Sequence, residues 1–124
     1  MLPERWVLLP ALLLCLAGGV AAAGEADVIA VEVEQTSPGV YAFQVTLAHD
    51  DTGWDHYADR WEVVAPDGQV LATRILAHPH VDEQPFTRSL GRVEIASALG
   101  EVELRGHDSV HGLGGVTLRV VLPE

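Results

Sequence analysis

Residues 40–48 read VYAFQVTLA, and apolar and polar side chains alternate over the whole stretch. Every second position carries a large apolar side chain: Tyr41, Phe43, Val45 and Leu47. Successive side chains of a β-strand point to opposite faces of the sheet, so this pattern predicts a strand with one buried face.

The same two-residue period recurs along the rest of the chain after residue 26. Further strands are predicted at 27–34, 58–65, 69–77, 86–95, 101–105 and 115–122. Turn sequences such as Ser37-Pro38-Gly39 and Pro66-Asp67-Gly68 separate them. Seven short strands in roughly 100 residues are typical of an all-β antiparallel sandwich of the immunoglobulin-like or fibronectin-III-like type. A β-barrel of similar length is the alternative.

Alternation also predicts which side chains form the core. We expect one core to contain Tyr41, Phe43, Val45, Leu47, Trp61, Val63, Leu104, Leu118 and Val120. In the strand at 27–34 we expect Ile29, Val31 and Val33 on one face, with Glu32 and Glu34 on the other. Gly91 interrupts another strand and predicts a kink or bulge.

The first 23 residues have the composition of an export signal. Arg5 precedes an apolar run at 7–16, and small side chains follow at Ala21 and Ala23, the −3 and −1 positions of a cleavage site. We therefore expect a signal peptide at 1–23 and a single periplasmic domain at 24–124, with no membrane span in the mature chain. Lipid attachment at Cys15 is disfavoured, because Leu14 is large where such a site needs a small residue.

Charge and cysteine content exclude several classes of function. The 124 residues carry 18 acidic side chains against 7 basic ones, all of them arginine, for a formal net charge of −11. Nucleic acid and anionic membrane surfaces are therefore not expected as partners. Cys15 is the only cysteine and lies in the predicted signal peptide. Thiol catalysis and cysteine-ligated copper are excluded for the mature chain.

All six histidines fall in three predicted connections between strands, at 49–57, 78–85 and 106–114. Alternate connections of an antiparallel sandwich lie at the same end, so these three gather at one pole. Imidazole is the commonest metal-binding side chain, and sulfur-free sites of this kind suit Zn²⁺, Cu²⁺ or Ni²⁺. The sequence predicts a transition-metal site, with copper or zinc as the cofactor.

Spacing ranks the candidate ligands. His78 and His80 flank a proline on an extended backbone, and a glycine-rich loop carries His107 and His111. These four are the first candidates, followed by His49 and His56. Aspartates of the same connections are expected to orient the rings, namely Asp55, Asp82 and Asp108.

Other functions fit the same connections. They would form the contact surface of a metal-free binding or assembly module for a protein or sugar, including a periplasmic protein, or a polar rim with incidental histidines. Residues 49–55 are rich in oxygen ligands, so calcium is a further alternative, although the spacing differs from an EF-hand loop. A metal-dependent enzyme would need a substrate cleft that the sequence does not indicate, so we expect binding rather than catalysis.

Three segments resemble small exported proteins of Gram-negative bacteria that remain uncharacterised. They are DTGWDHYADRW at 51–61, HPHVDEQPFTRS at 78–89 and HDSVH at 107–111. The resemblance covers most of the mature chain and implies no activity.

We predict that the exported protein begins at or near Gly24 and is found in a periplasmic extract, because the apolar run ends at alanines that suit signal peptidase. Mass spectrometry of the exported protein tests this. An intact Met1, or a lipid on Cys15, would contradict it.

Overall fold

The computed structural model describes residues 24–124 and the backbone of a strand at Trp6–Pro10. The strands in chain order are β1 (Trp6–Pro10), β2 (Asp27–Ser37), β3 (Val40–Ala48), β4 (Ala58–Val64), β5 (Val70–Ile75), β6 (Phe86–Glu94), β7 (Glu101–Asp108) and β8 (Leu118–Val121). A single 3-10 turn at Ser97–Leu99 is the helical element of the described residues. The all-β prediction is confirmed.

The strands form two four-stranded antiparallel sheets. One has the order β1-β2-β3-β6 and the other β5-β4-β7-β8. Within the described residues no strand pairing joins the two sheets, so the fold is not a closed barrel. Strand β1 lies in the segment predicted as a signal peptide, and its removal would make β2 an edge strand. The boundary at residue 23 stays a prediction.

The core lies between the sheets and contains the side chains that alternation assigns to it. All nine predicted core residues belong to one buried cluster, and each is at most 3% exposed. Burying apolar surface of this kind is the main favourable term in folding. Since the predicted mature chain has no cysteine, this packing stabilises the domain without a disulfide.

Bulges in β2 and β6 modify the alternation. The pairing of β2 with β3 shifts between Val28 and Ala30, so Val28 is buried and Ile29 is not. The expectation for Ile29 was therefore wrong, because an extra residue in the strand reverses the face of its neighbours. In β6, Gly91 and Arg92 form the expected bulge, and Arg92 adopts a φ of 58°.

Strand β7 is three residues longer than predicted and ends at Asp108. Its inward positions alternate down the strand: Val102, Leu104, Gly106 and Asp108 are buried. Gly106 allows close packing, since a Cβ there would lie 3.0 Å from the Ala26 Cβ. The lengthened strand therefore places the carboxylate of Asp108 at the end of the apolar core.

We predict that Trp61→Ala lowers the free energy of unfolding by about 3–5 kcal/mol, because it empties the volume of a fully buried ring. Trp61→Phe should cost less, since the indole Nε1 is buried without a hydrogen-bond partner in the described residues. Trp54→Ala is the control, because Trp54 is 67% exposed. Urea unfolding measures all three, and equal losses for Trp61→Ala and Trp54→Ala would contradict the packing.

Candidate metal centre

Three strands deliver polar side chains to the same end of the core. His49 directly follows β3 and continues the buried series of that strand, and Asp108 is the last buried position of β7. His56 lies two residues before β4, whose first residue, Ala58, pairs with Asp108. Because each residue continues the inward face of its strand, their side chains converge. One ligand atom from each of His49, His56 and Asp108 lies within 4.8 Å of the others.

The Asp108 carboxylate is the centre of this cluster. Its Oδ1 accepts hydrogen bonds from the backbone N–H of Val110 and of His111, at 2.7 and 2.5 Å. Its Oδ2 lies 2.7 Å from His49 Nε2, 2.8 Å from His56 Nε2 and 3.1 Å from His111 Nδ1. Three imidazole nitrogens therefore meet a single carboxylate oxygen that is fully buried.

A second buried carboxylate fixes the orientation of His49. Asp51 Oδ1 is hydrogen-bonded to His49 Nδ1 and also accepts the backbone N–H of Ala58 at 3.1 Å. Asp51 Oδ2 accepts the backbone N–H of His80 at 2.7 Å. Metal-binding histidines commonly hold a carboxylate on the ring nitrogen that does not bind the metal. His49 has this arrangement, with Nε2 left to face the centre.

The centre has more acceptors than a neutral histidine can satisfy. His49 Nε2 lies 2.7 Å from Asp108 Oδ2 and 3.1 Å from the Gly24 carbonyl oxygen, while its Nδ1 faces Asp51. A neutral imidazole carries one N–H, so it serves Asp51 or the centre but not both. Two states satisfy the arrangement: His49 as an imidazolium, or neutral His49 with a cation at Nε2. The second state is that of a metal ligand.

The protonation equilibria of the metal-free site are shifted accordingly. Burial disfavours the charged form of His49, but hydrogen bonds to Asp51 and Asp108 outweigh it and raise its pKa. The hydrogen bond to Asp108 raises the pKa of His111 as well. Burial would raise the pKa of Asp108, yet the hydrogen bonds from His111, His56 and His49 hold it well below its usual value. Asp108 is therefore ionised at every physiological pH.

One side of the cluster faces solvent. The side chains of His49, Asp51 and Asp108 are fully buried, whereas those of His56 and His111 are 23% and 39% exposed. The ring of His56 lies between the other two, with centroids 4.8 Å from His49 and 4.9 Å from His111. An ion therefore has access from solvent past the two exposed rings.

The other three histidines lie outside this cluster. His80 is buried, stacks on Phe86 with centroids 3.9 Å apart, and lies with Nε2 2.9 Å from Arg88 Nη2. Burial, with Arg88 and His78 nearby, lowers the pKa of His80. His78 is exposed. His107 lies on the opposite face of β7 from Asp108, with Nδ1 2.6 Å from Asp59 Oδ1.

The predicted aspartates are also distributed differently. Asp55 and Asp82 are exposed at the surface, and the carboxylate that orients His49 belongs to Asp51. Asp108 lies at the centre, in direct contact with the rings. The alternation in the sequence does indicate the positions of His49 and Asp108. The buried series of β3 continues from Leu47 to His49, and that of β7 ends at Asp108. Nothing in the local pattern indicates the contribution of the Gly24 carbonyl.

Comparison with known proteins gives one informative match. No protein-family model and no solved structure match the chain. Over 96 residues, 77% of its length, the chain is 42% identical to a protein of Halomicrobium mukohataei named "Putative lipoprotein". The matched region is 47% of that protein, so the chain spans about half the length of this relative. The relative is archaeal, so the comparison does not support a restriction to Gram-negative bacteria.

Within the part of the chain that the structure describes, no helix has the length and apolar character needed to cross a membrane.

We predict that Asp108→Asn reduces the stability of the metal-free protein most between about pH 4 and pH 6.5. The raised pKa values of His49 and His111 contribute stability below the unfolded imidazole pKa of 6.5, and it is lost as pH rises through their native values. The lowered pKa of Asp108 contributes stability above the unfolded carboxyl pKa of 3.8, and it is lost as pH falls through its native value.

Urea unfolding of both proteins from about pH 4 to about pH 8, in the presence of a chelator, measures the difference. Asparagine retains an oxygen for the backbone N–H groups of Val110 and His111, so the change is confined to the charge and to the oxygen that faces the three rings. His80 titrates in the opposite sense, because its pKa is lowered, but it is present in both proteins. A difference that stays constant from pH 4 to pH 8 would contradict the network.

Proposed function

We propose that this protein is an exported β-sandwich domain that binds a transition metal, copper or zinc, through His49, His56 and Asp108, for carriage, storage or sensing. The observation that carries the proposal is the position of His49 Nε2. It faces two oxygens, of Asp108 and Gly24, while a buried carboxylate occupies the other ring nitrogen. Neutral histidine in this position has a lone pair available for a cation.

The donor chemistry supports a transition metal. Two imidazole nitrogens and one carboxylate oxygen form a set used by Zn²⁺ and Cu²⁺, with His111 beside it as a further nitrogen. A tetrahedral zinc with bonds of about 2.0–2.1 Å places its ligand atoms about 3.3 Å apart. The two histidine–Asp108 distances of 2.7 and 2.8 Å are somewhat shorter, so modest ring movements adapt the cluster. Calcium is disfavoured, because it prefers oxygen ligands.

The charge of the site supports the proposal too. Asp51 and Asp108 bring two buried carboxylates to opposite sides of His49. A buried carboxylate needs a compensating positive charge. A divalent cation at the centre supplies that charge when the imidazole rings are neutral. The partly exposed rings of His56 and His111 leave a route for exchange, which suits reversible binding.

Fold and location are part of the proposal. Within the proposed domain 24–124, one sheet contains β2, β3 and β6, which are its first, second and fifth strands. The other sheet has the order β5-β4-β7-β8, which are its fourth, third, sixth and seventh strands. This order supports an immunoglobulin-like sandwich of the fibronectin-III type. The predicted signal peptide and the name of the archaeal relative support export, to the periplasm in a Gram-negative cell. We propose that the domain binds the metal and does not use it for catalysis.

A second candidate function is contact with a partner protein at the same pole. The connections at this pole also hold exposed apolar side chains: Trp54, Val110 and Leu113 in the two connections that carry the cluster, and Val81 in the neighbouring one. Trp54 packs edge-on against Tyr57, with ring centroids 5.5 Å apart. Exposed apolar side chains at the rim of a metal site are suited to contact with a partner protein that receives or delivers the ion.

We predict that Zn²⁺ or Cu²⁺ raises the Tm of the domain at neutral pH. At a free metal concentration 100-fold above Kd the gain is about 2.7 kcal/mol, or roughly 10 °C or more for a domain of this size. His56→Ala should abolish the shift, because it removes a ligand that is partly exposed and adds little to the core. Differential scanning calorimetry measures both.

His78→Ala is the matched control and should keep the full shift, since His78 is exposed and outside the cluster. Trp54→Ser should keep it as well if the apolar rim serves a partner only. The shift should weaken as pH falls through the imidazole range, because protonated rings do not bind metal. No shift for the parent protein, or an unchanged shift for His56→Ala, would contradict the proposed site.

A further inference from the structure

Gly24 is built into the centre of the site. Its carbonyl oxygen lies 3.1 Å from Nε2 of both His49 and His56. Its φ of +86° favours glycine, and a Cβ at this position would lie 2.8 Å from Cε1 of His111. The backbone conformation therefore favours glycine here, and a side chain at this position would displace the ring of His111. The chain brings its backbone, rather than a side chain, into contact with three of the histidines.

Gly24 is also the residue that follows the predicted cleavage site. Ala21 and Ala23 provide the small side chains that signal peptidase needs, and hydrolysis after Ala23 makes Gly24 the first residue of the mature chain. The sequence alone does not connect this position with the histidines. The structure places it against them, on the solvent-facing side where His56 and His111 are partly exposed.

From this juxtaposition we infer that signal-peptide cleavage completes the metal site, by turning the backbone nitrogen of Gly24 into an α-amino ligand. The inference rests on the proposed metal-binding function and on cleavage after Ala23. Hydrolysis consumes one water, leaves a carboxylate on Ala23 and frees an amine on Gly24. The precursor holds an amide nitrogen at this position, and its lone pair is delocalised into the carbonyl group and does not bind a metal in that form.

The amine adds a chelating pair to the cluster. The nitrogen and the carbonyl oxygen of one residue are separated by two carbons, so they close a five-membered ring on a metal ion. Together with Nε2 of His49 and of His56, and with Asp108 Oδ2, they form a set of nitrogens and oxygens. Tetragonal sets of this kind suit Cu²⁺. The complete site then exists only in the processed chain, so tight binding is restricted to the compartment reached after export.

The composition of the chain makes this amine chemically unique. The chain has no lysine, since all seven of its basic residues are arginines, and the mature chain would therefore carry one primary amine, that of Gly24. An acetylating ester at neutral pH, followed by hydroxylamine to reverse acylation of histidine and tyrosine, blocks that single group. The folded protein is otherwise unchanged, so no substitution is needed.

The experiment uses the exported protein, with its N-terminus established by mass spectrometry, and measures the Kd for Cu²⁺ by competition with a chelator. Acetylation should weaken Cu²⁺ binding by roughly 10- to 100-fold or more. Removing a group that only hydrogen-bonds a metal ligand already lowers affinity by about this factor, and removing the ligand itself should cost at least as much. Bound Cu²⁺ should in turn protect the amine from acetylation. His56→Ala should lose this protection, whereas His78→Ala should keep it.

The outcomes distinguish failure of the Gly24 amine ligand from failure of the proposed metal site. If acetylated protein binds Cu²⁺ as tightly as the untreated protein while His56→Ala binds it weakly, the amine is not a ligand and the histidine site stands. An exported chain that begins at another residue also overturns the inference. If neither the untreated nor the acetylated protein binds Cu²⁺ or Zn²⁺, the proposed function fails as well.

Discussion

The site depends on one interaction, between the buried Asp108 carboxylate and the imidazole nitrogens that meet its Oδ2. Asp108 occupies the last inward position of β7, where the apolar series of Val102 and Leu104 would otherwise continue. Hydrogen bonds from the backbone of Val110 and His111 hold the other oxygen in place. A charge in this position is stable only with positive partners. The surrounding connections place the rings of His49, His56 and His111 against the carboxylate, where they act as these partners.

Asp51 extends this network to the rest of the pole. It links the ring of His49, the start of β4 at Ala58 and the backbone of His80, so three separate parts of the chain share one carboxylate. Gln84 adds a further link, accepting the backbone N–H of His49 through Oε1 and donating through Nε2 to the carbonyl of His80. These buried polar contacts order long connections in a domain that would have no disulfide after processing.

Much of this architecture follows from alternation. The nine core side chains and the bulge at Gly91 could be predicted, because a period of two specifies both strand and face. Ile29 could not be assigned correctly, since a bulge in β2 depends on pairing with β3 that the local sequence does not encode. Convergence of the connections at one pole follows from antiparallel topology. Which of the six histidines join the cluster around Asp108 depends on the direction of each side chain, which the topology does not specify. His107 and Asp108 are neighbours in sequence and lie on opposite faces of β7.

Elemental analysis of the untagged protein, purified after export without added metal, tests the central claim most directly. We expect about one equivalent of copper or zinc per chain, and a large loss of that metal in His56→Ala but not in His78→Ala. The absence of copper and zinc from the purified parent protein, or equal metal content in the two variants, would contradict a centre built on His49, His56 and Asp108.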